Sequence, residues 1–379
     1  MMKALIFTTH TGGGHDAAAH AVAEALTEQG VVCRVMDCVA FGGAWLSRAV
    51  SGTYVKMVQR HPDGFGRIYH LGDLISTPRM KSPVYYANAT YAFRMANFIR
   101  AEKPDLIVCT HMFGGQSVTY LRKHGQYGGL FAMVMTDYTL SPFMEDIQPD
   151  VLCVSHRAML PECRAKHMPE GILRPMGIPV SLSCRPCLDK AAAKQAAGLD
   201  PAGREVLLVG GSMGAGHLPE TIGMLLPALS GDGHLTVVCG SNEKARQEAE
   251  SRYAGDGRVT VLGKVQPLYG LMAASDVVVT KSGGLTSTEA MTIGVPMVIA
   301  HPIVGCETAN ADFFCRYGLA DWARTPEELP GKVARLLEDA DARERMIAAQ
   351  RREIDPECSR HFASCLIDMV QARSGASEG

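Results

Sequence analysis

The sequence has no uninterrupted apolar run near the roughly 18 residues that a membrane-spanning helix needs, so no such span is expected. It holds only 2 tryptophans and a net charge of just −2, a balance that gives no global pull toward nucleic acid. Tandem repeats and low-complexity tracts are absent, and the opening MMKALIFTT carries an apolar run too short for a secretory core. Without such a leader, 12 cysteines at irregular spacing read as reduced thiols in a cytoplasmic chain rather than as a disulfide framework. Cys184 and Cys187 have C-x-x-C spacing, but no second Cys or His pair stands beside them, so neither zinc nor redox chemistry is expected there. Hydrophobic residues make up 47% and charged residues 20%, which excludes disorder and suits a folded α/β chain.

What is present is an alternation. Short apolar runs ending in small polar residues, each followed by a helical pattern, recur through the chain: LIFTT, VVCRVMD, DLIVCTH, LFAMVMTD, VLCVS, EVLLVGGS, LTVVCGS, VTVLG, DVVVTKSGG and PMVIA. Such βα units form parallel sheets with helices on both faces. Ten strands over 379 residues predict two doubly wound, Rossmann-like parallel-sheet domains. Prolines, an Ala-rich charged stretch and DPAG break the alternation before EVLLVGG, which places the boundary near Gly203. The expected division is 1–202, 203–355 and a last helical segment, 356–379, that folds back on the first domain.

One composition shift stands out. Residues 41–103 carry nine basic side chains against three acidic ones, and ten of the chain's 24 aromatics. Aromatic bodies with basic rims are attracted to anionic membrane surfaces, which makes Trp45, Tyr54, Arg79, Lys81, Tyr85 and Tyr86 candidates for acceptor or membrane contact. Packing of the same aromatics onto the sheet, with the basic residues as a solvated face, is the competing reading.

In open parallel sheets ligands bind beyond the carboxyl ends of the strands, so the residues there carry the functional argument. After the first run comes Thr11-Gly12-Gly13-Gly14-His15-Asp16, opening a helix. Glycines permit close approach, the helix start favours an anion, and the helix dipole keeps a histidine there neutral and basic. His10, His111 and Asp137 also follow strands. The same loop satisfies G-x-G-x-x-A with Asp37 ending the second strand, which is the dinucleotide fingerprint and leaves an NAD-dependent oxidoreductase open. In the second half, Gly210, Gly211, Ser212 and Gly214 form another glycine loop, and Ser282-Gly283-Gly284 opens a helix whose early residues include Thr286 and Glu289. A glycine-bearing helix start binds diphosphate, and a carboxylate just inside it accepts both hydroxyls of a ribose. Thr286-x-x-Glu289 also fits a capping box, in which Glu289 only satisfies a backbone donor. Further on, Glu307 and Asn310 offer an acceptor and an amide suited to sugar hydroxyls.

Three segments, THTGGGHDAAAHAVAEAL, VLLVGGSMGAG and TKSGGLTSTEAMTIGVPMVIAHPIVGCETANADFF, together resemble the glycolipid-forming glycosyltransferases of GT-B architecture. These are the monogalactosyldiacylglycerol synthases and the bacterial processive diacylglycerol glucosyltransferases; the peptidoglycan N-acetylglucosaminyl transferase is a more distant likeness. The resemblance implies two Rossmann-like domains facing across a cleft, the first for the acceptor and membrane, the second for a UDP-sugar. It makes His15 the general base or acceptor-orienting residue and Asp137 a cleft carboxylate. Gly14, Gly211, Ser212, Gly214, Ser282, Gly283, Gly284 and Thr286 go with the nucleotide and its diphosphate, Glu289 with the ribose, Val265 with the uracil, and Gly305, Glu307 and Asn310 with the donor hexose or its phosphate. The implied reaction is inverting transfer of glucose or galactose to a diacylglycerol-type lipid on the inner face of the cell membrane, with no obligatory metal or other cofactor. A UDP-sugar epimerase and an N-acetylglucosaminyl transferase share the architecture and remain alternatives. Two departures bear on specificity: Cys306 stands where the family usually has Gln, and Ser141 and Pro142 follow TD where it usually has a histidine.

Overall fold

The structure, a computed structural model, describes residues 1–10, 13–43, 45, 52, 81–214, 217–229, 231 and 233–377. Tyr54, Arg79, Thr11 and Gly12 lie outside the described residues. The chain divides into two compact units, Met1–Ser183 with Glu357–Gly379, and Cys184–Pro356.

The first unit is built on a parallel sheet of β1 (Lys3–Thr8), β2 (Val32–Asp37), β3 (Leu106–Cys109), β4 (Leu130–Val134), β5 (Val151–Cys153) and β6 (Leu173–Arg174), in the order β2-β1-β3-β4-β5-β6. Strands β3 and β4 are buried at every residue, as expected of strands covered on both faces. The helix Gly13–Glu28 lays its small face, Ala18, Ala19, Val22, Ala25 and Leu26, onto this sheet. The C-terminal helix Cys358–Ser377 joins the same core through Phe362, Ala363, Leu366 and Val370.

The second unit has β7 (Glu205–Val209), β8 (His234–Val238), β9 (Val259–Leu262), β10 (Val277–Thr280), β11 (Met297–Ile299) and β12 (Asp321–Trp322) in the parallel order β12-β11-β10-β7-β8-β9. Each sheet reverses direction of winding once, between β1 and β3 in the first and between β7 and β10 in the second. Such switch points open a crevice at the strands' carboxyl ends. The ten apolar runs are ten of these strands; β6 and β12, two residues each, complete the sheets at their edges.

The division of the chain falls after Ser183 rather than near Gly203. The stretch read as a linker is built into the second unit: the helix Lys190–Ala196 sends buried Lys194 Nζ to Asp276 Oδ2 at 2.7 Å and to Gly203 O at 2.6 Å. Cys187 N likewise donates to Ile293 O at 2.9 Å.

Backbone geometry, not ligand reach alone, dictates glycine after β7. Gly214 has φ +60°, and a Cβ there would stand 2.0 Å from Cys239 O, because the loops after β7 and β8 touch. Asn242 Nδ2 closes the same contact by donating to Gly214 O at 2.8 Å. Gly214→Ala is therefore expected to cost at least about 2 kcal/mol in denaturant unfolding; an unchanged midpoint contradicts the close-contact reading.

Candidate active site

At the first unit's switch point, the loop after β1 meets the loop after β3. His15 sits in the first turn of the helix Gly13–Glu28 beside Gly14, with its Nδ1 2.9 Å from Thr110 O and 3.1 Å from Thr136 Oγ1. A carbonyl oxygen only accepts, so Nδ1 carries the proton and Nε2 presents the lone pair. Thr110 Oγ1 returns a bond to His15 O at 3.0 Å, fixing ring and backbone together. Burial outweighs the Thr110 carbonyl and the Asp16 charge and holds the His15 pKa below its ordinary value. The imidazole is thus neutral at pH 7, for a reason in which burial leads rather than the helix dipole.

The neighbouring histidines are differently occupied. His111 Nδ1 accepts from Phe113 N at 3.2 Å, capping the helix Met112–Lys123, and its ring meets His15 edge-on at 4.6 Å. Burial, then the nearby His15, pushes its pKa well down. His10 Nδ1 lies 2.7 Å from Asp16 Oδ2. Burial opposes its protonation, but the hydrogen bond and charge of Asp16, with the charge of Asp37, raise its pKa overall. Asp137 is half-buried and follows β4 directly after Thr136, which brings it to the same end of the sheet as His15. Asp37 Oδ1 accepts from Val39 N at 3.0 Å to cap the short helix Cys38–Gly42, a local role that accounts for its position without a dinucleotide.

The basic, aromatic segment splits. Tyr85 is 4% exposed and packs edge-on against Tyr86 and Tyr120, and Lys81 Nζ donates to Asp146 O at 2.8 Å. Both are turned into the protein, which removes them from the surface set. Trp45, Tyr86 and Phe93 are exposed at 75%, 61% and 70%. Tyr86 and Phe93 lie seven residues apart on the helix Pro83–Glu102 and share its outer face with Arg94 and Arg100.

At the second unit's switch point, the loop after β7 meets the loop after β10. Gly211, φ +70°, runs against the stem of Lys281: a Cβ there would be 2.7 Å from Lys281 Cε. Ser212 is exposed, and Gly214 turns back toward β8. After β10, Ser282 is fully buried with φ +64°, and its hydroxyl donates to Glu307 O at 2.7 Å. Gly283 is the N-cap of the helix Gly284–Ile293, and no side chain caps that helix start. Thr286 is therefore the helix's third residue and not its cap, which removes the capping box, and Glu289 is the sixth residue, in the second turn. The Glu289 carboxyl accepts no hydrogen bond from the described residues, and burial alone pushes its pKa up to about 7.

Glu307 and Asn310 belong to the helix Cys306–Arg316, whose start is Gly305 with φ +118°. Both side chains hold loops. Glu307 pairs through Oε1 with Lys281 Nζ and through Oε2 accepts from Ile303 N at 2.8 Å, while Asn310 Nδ2 donates to Ser282 O at 3.0 Å. Asn310 is completely buried, so its amide shapes the 282–284 loop from beneath. Beside them, a cavity of about 230 Å³ at the ends of β11 and β12 is lined by His301, Thr308, Trp322, Arg324 and Thr325 among others. Val265 is half-buried in the loop after β9. Sequence reasoning passed over Lys281, Thr110 and Thr136; the only signal for them was their place directly after strands.

Residues 15–180 match the family model of monogalactosyldiacylglycerol (MGDG) synthase, and residues 224–353 match that of glycosyl transferases group 1. The chain is 27% identical over 267 residues to the processive diacylglycerol beta-glucosyltransferase of Staphylococcus saprophyticus, covering 66% of this chain and 66% of that protein. It is 25% identical over 344 residues to the protein of that name from Staphylococcus carnosus, covering 90% and 86%. In fold it is similar to Acinetobacter baumannii MurG, with a TM-score of 0.64 at 18% identity over 97% of this chain and 100% of that one. The protein is a glycosyltransferase of GT-B architecture. Within that class its first half is similar to the MGDG synthases and its second half to the group 1 transferases.

The Glu289 carboxyl gives a direct check on the second site. Its folded pKa of about 7 lies above the ordinary 4.5, so its contribution to stability is complete below pH 4.5 and is lost as pH rises through 7. Glu289→Gln is expected to raise Tm by at least about 2 °C at pH 8 and to change it little at pH 4.5; a lower Tm at pH 8 means the carboxylate has a stabilising partner.

Proposed function

We propose that the protein is an inverting hexosyltransferase that moves glucose or galactose from a UDP-sugar to a diacylglycerol-type lipid at a membrane surface. The observation that carries the donor half is the helix start at Gly283, which no side chain caps among the described residues, followed by Glu289, whose carboxyl accepts no hydrogen bond from those residues. Backbone amides there match a diphosphate, and the carboxylate accepts the two ribose hydroxyls. Glu307 and the cavity beside Thr308 support a hexose at the start of the helix Cys306–Arg316, with uracil near Val265. Relatives named processive diacylglycerol beta-glucosyltransferase support the acceptor. The outer face of the helix Pro83–Glu102, with Trp45, supports contact with an anionic membrane.

In the proposed reaction the acceptor hydroxyl oxygen attacks the anomeric carbon on the face opposite the diphosphate, and the carbon–oxygen bond to the diphosphate breaks as the new one forms. The hydroxyl proton passes to His15 Nε2, and UDP leaves with the electron pair. The Thr110 carbonyl keeps the proton of the resting imidazole on Nδ1, so Nε2 is ready to accept. Asp137, at the same strand ends, is the carboxylate placed to favour the imidazolium that forms. Fixed amides at a helix start stabilise the growing charge on UDP without reorganising.

The test is incubation with diacylglycerol-containing anionic liposomes and, separately, UDP-glucose, UDP-galactose and UDP-N-acetylglucosamine, following UDP release and lipid mass. One donor should yield UDP and a lipid heavier by one or more hexoses, and the yield should survive EDTA. Free sugar with an unmodified lipid overturns the transfer reading, and abolition by EDTA overturns the metal-free one. In the same preparation Glu289→Gln should bind UDP at least about tenfold more weakly, the loss of one charge-assisted hydrogen-bonding group.

A further inference from the structure

Glu307 is read above as a hexose ligand, but the buried lysine it pairs with, Lys281, is used by none of those roles. Its side chains are 11% and 8% exposed, and it ties together three loops at the carboxyl ends of parallel strands. Lys281 ends the run of β10 and lays its stem against Gly211, after β7. Glu307 takes Ile303 N on its second oxygen and Ser282 Oγ on its backbone carbonyl, after β11 and β10. A buried ammonium keeps a buried carboxylate only while no better anion arrives, because each desolvated charge requires a counter-charge.

We propose that Lys281 is a positioning residue that exchanges partners when the donor binds. Resting on the donor reading above, the inference is that the diphosphate brought to the 282–284 loop takes the Lys281 ammonium away from Glu307. Glu307 is then an anion without its cation, and the hydroxyl donors of the hexose are the groups that satisfy it. The nucleotide's diphosphate and its sugar are in this way read together: UDP alone takes the Lys281 cation from Glu307 Oε1, while Oε2 keeps Ile303 N, and UDP-hexose brings hydroxyl donors to Oε1 in its place. No bond is made or broken in the exchange, and no proton moves.

The experiment is calorimetric titration of uridine, UDP and a UDP-hexose into the wild-type chain, Lys281→Met, Lys281→Arg and Glu307→Gln. Lys281→Met is expected to weaken UDP at least tenfold and leave uridine within twofold, with Lys281→Arg recovering most of the loss. Glu307→Gln, whose Lys281 is already free, should bind UDP at least as tightly as wild type and gain nothing from the added hexose. UDP binding unchanged in Lys281→Met, or uridine weakened as much as UDP, overturns the proposal. Should Lys281→Met fail to fold, Glu307→Gln decides alone: weaker UDP binding there overturns it. A wild-type chain that binds neither UDP nor uridine overturns the donor reading itself, and this inference with it.

Discussion

The switch point of the second unit depends on one buried carboxylate. Glu307 is held by Lys281 and Ile303 N, and through its backbone carbonyl it holds Ser282 in a left-handed conformation that a serine adopts only under constraint. That constraint aims the chain so that Gly283 starts a helix with bare amides. Asn310 fixes the same turn from below through the Ser282 carbonyl. Loss of the Glu307 carboxylate would leave the Lys281 ammonium without its counter-charge, while the backbone carbonyl of residue 307 and the Asn310 amide would still hold the turn at Ser282.

The first unit solves a smaller problem by the same means. A histidine is a useful base only if one nitrogen is committed and the other is not. The end of β3 supplies a carbonyl, and the end of β4 a hydroxyl, to the same nitrogen of His15. Both strands are buried along their whole length, so the two oxygens are as rigid as the sheet. His111, which meets that ring edge-on, is tied by its own helix cap.

Architecture was legible wherever a strand was long enough to show a pattern. Ten runs such as EVLLV and DVVVT announced themselves by continuous apolar, β-branched residues; the two-residue edge strands β6 and β12 have no periodicity to read. The place of His15, Gly283 and Glu289 after or just inside strand-to-helix turns was legible for the same reason. Less legible was what a side chain does once folded. Gly214 suited a phosphate loop, yet its φ and its contact with the Cys239 carbonyl demand glycine by themselves. Tyr85 and Lys81 fitted a membrane face, but successive residues of a helix are turned by about 100°, so Tyr85 is buried where Tyr86 and Phe93 are exposed, and Lys81, just before the helix, turns to Asp146. Thr286 and Glu289 matched a capping box whose frame was displaced by three residues, since local sequence does not fix where a helix begins. Lys281 lay inside the TKSGG segment without any role legible for it, because its partner is 26 residues away in the chain.

The central claim is that base and donor site are separate functions on separate units. Its most direct test is His15→Ala, measured for both turnover and UDP affinity in one preparation. Turnover should fall at least about a hundredfold, as for loss of a positioned base, with the UDP Kd within twofold of wild type. A variant that keeps its turnover, or loses UDP affinity in proportion to turnover, would contradict the account.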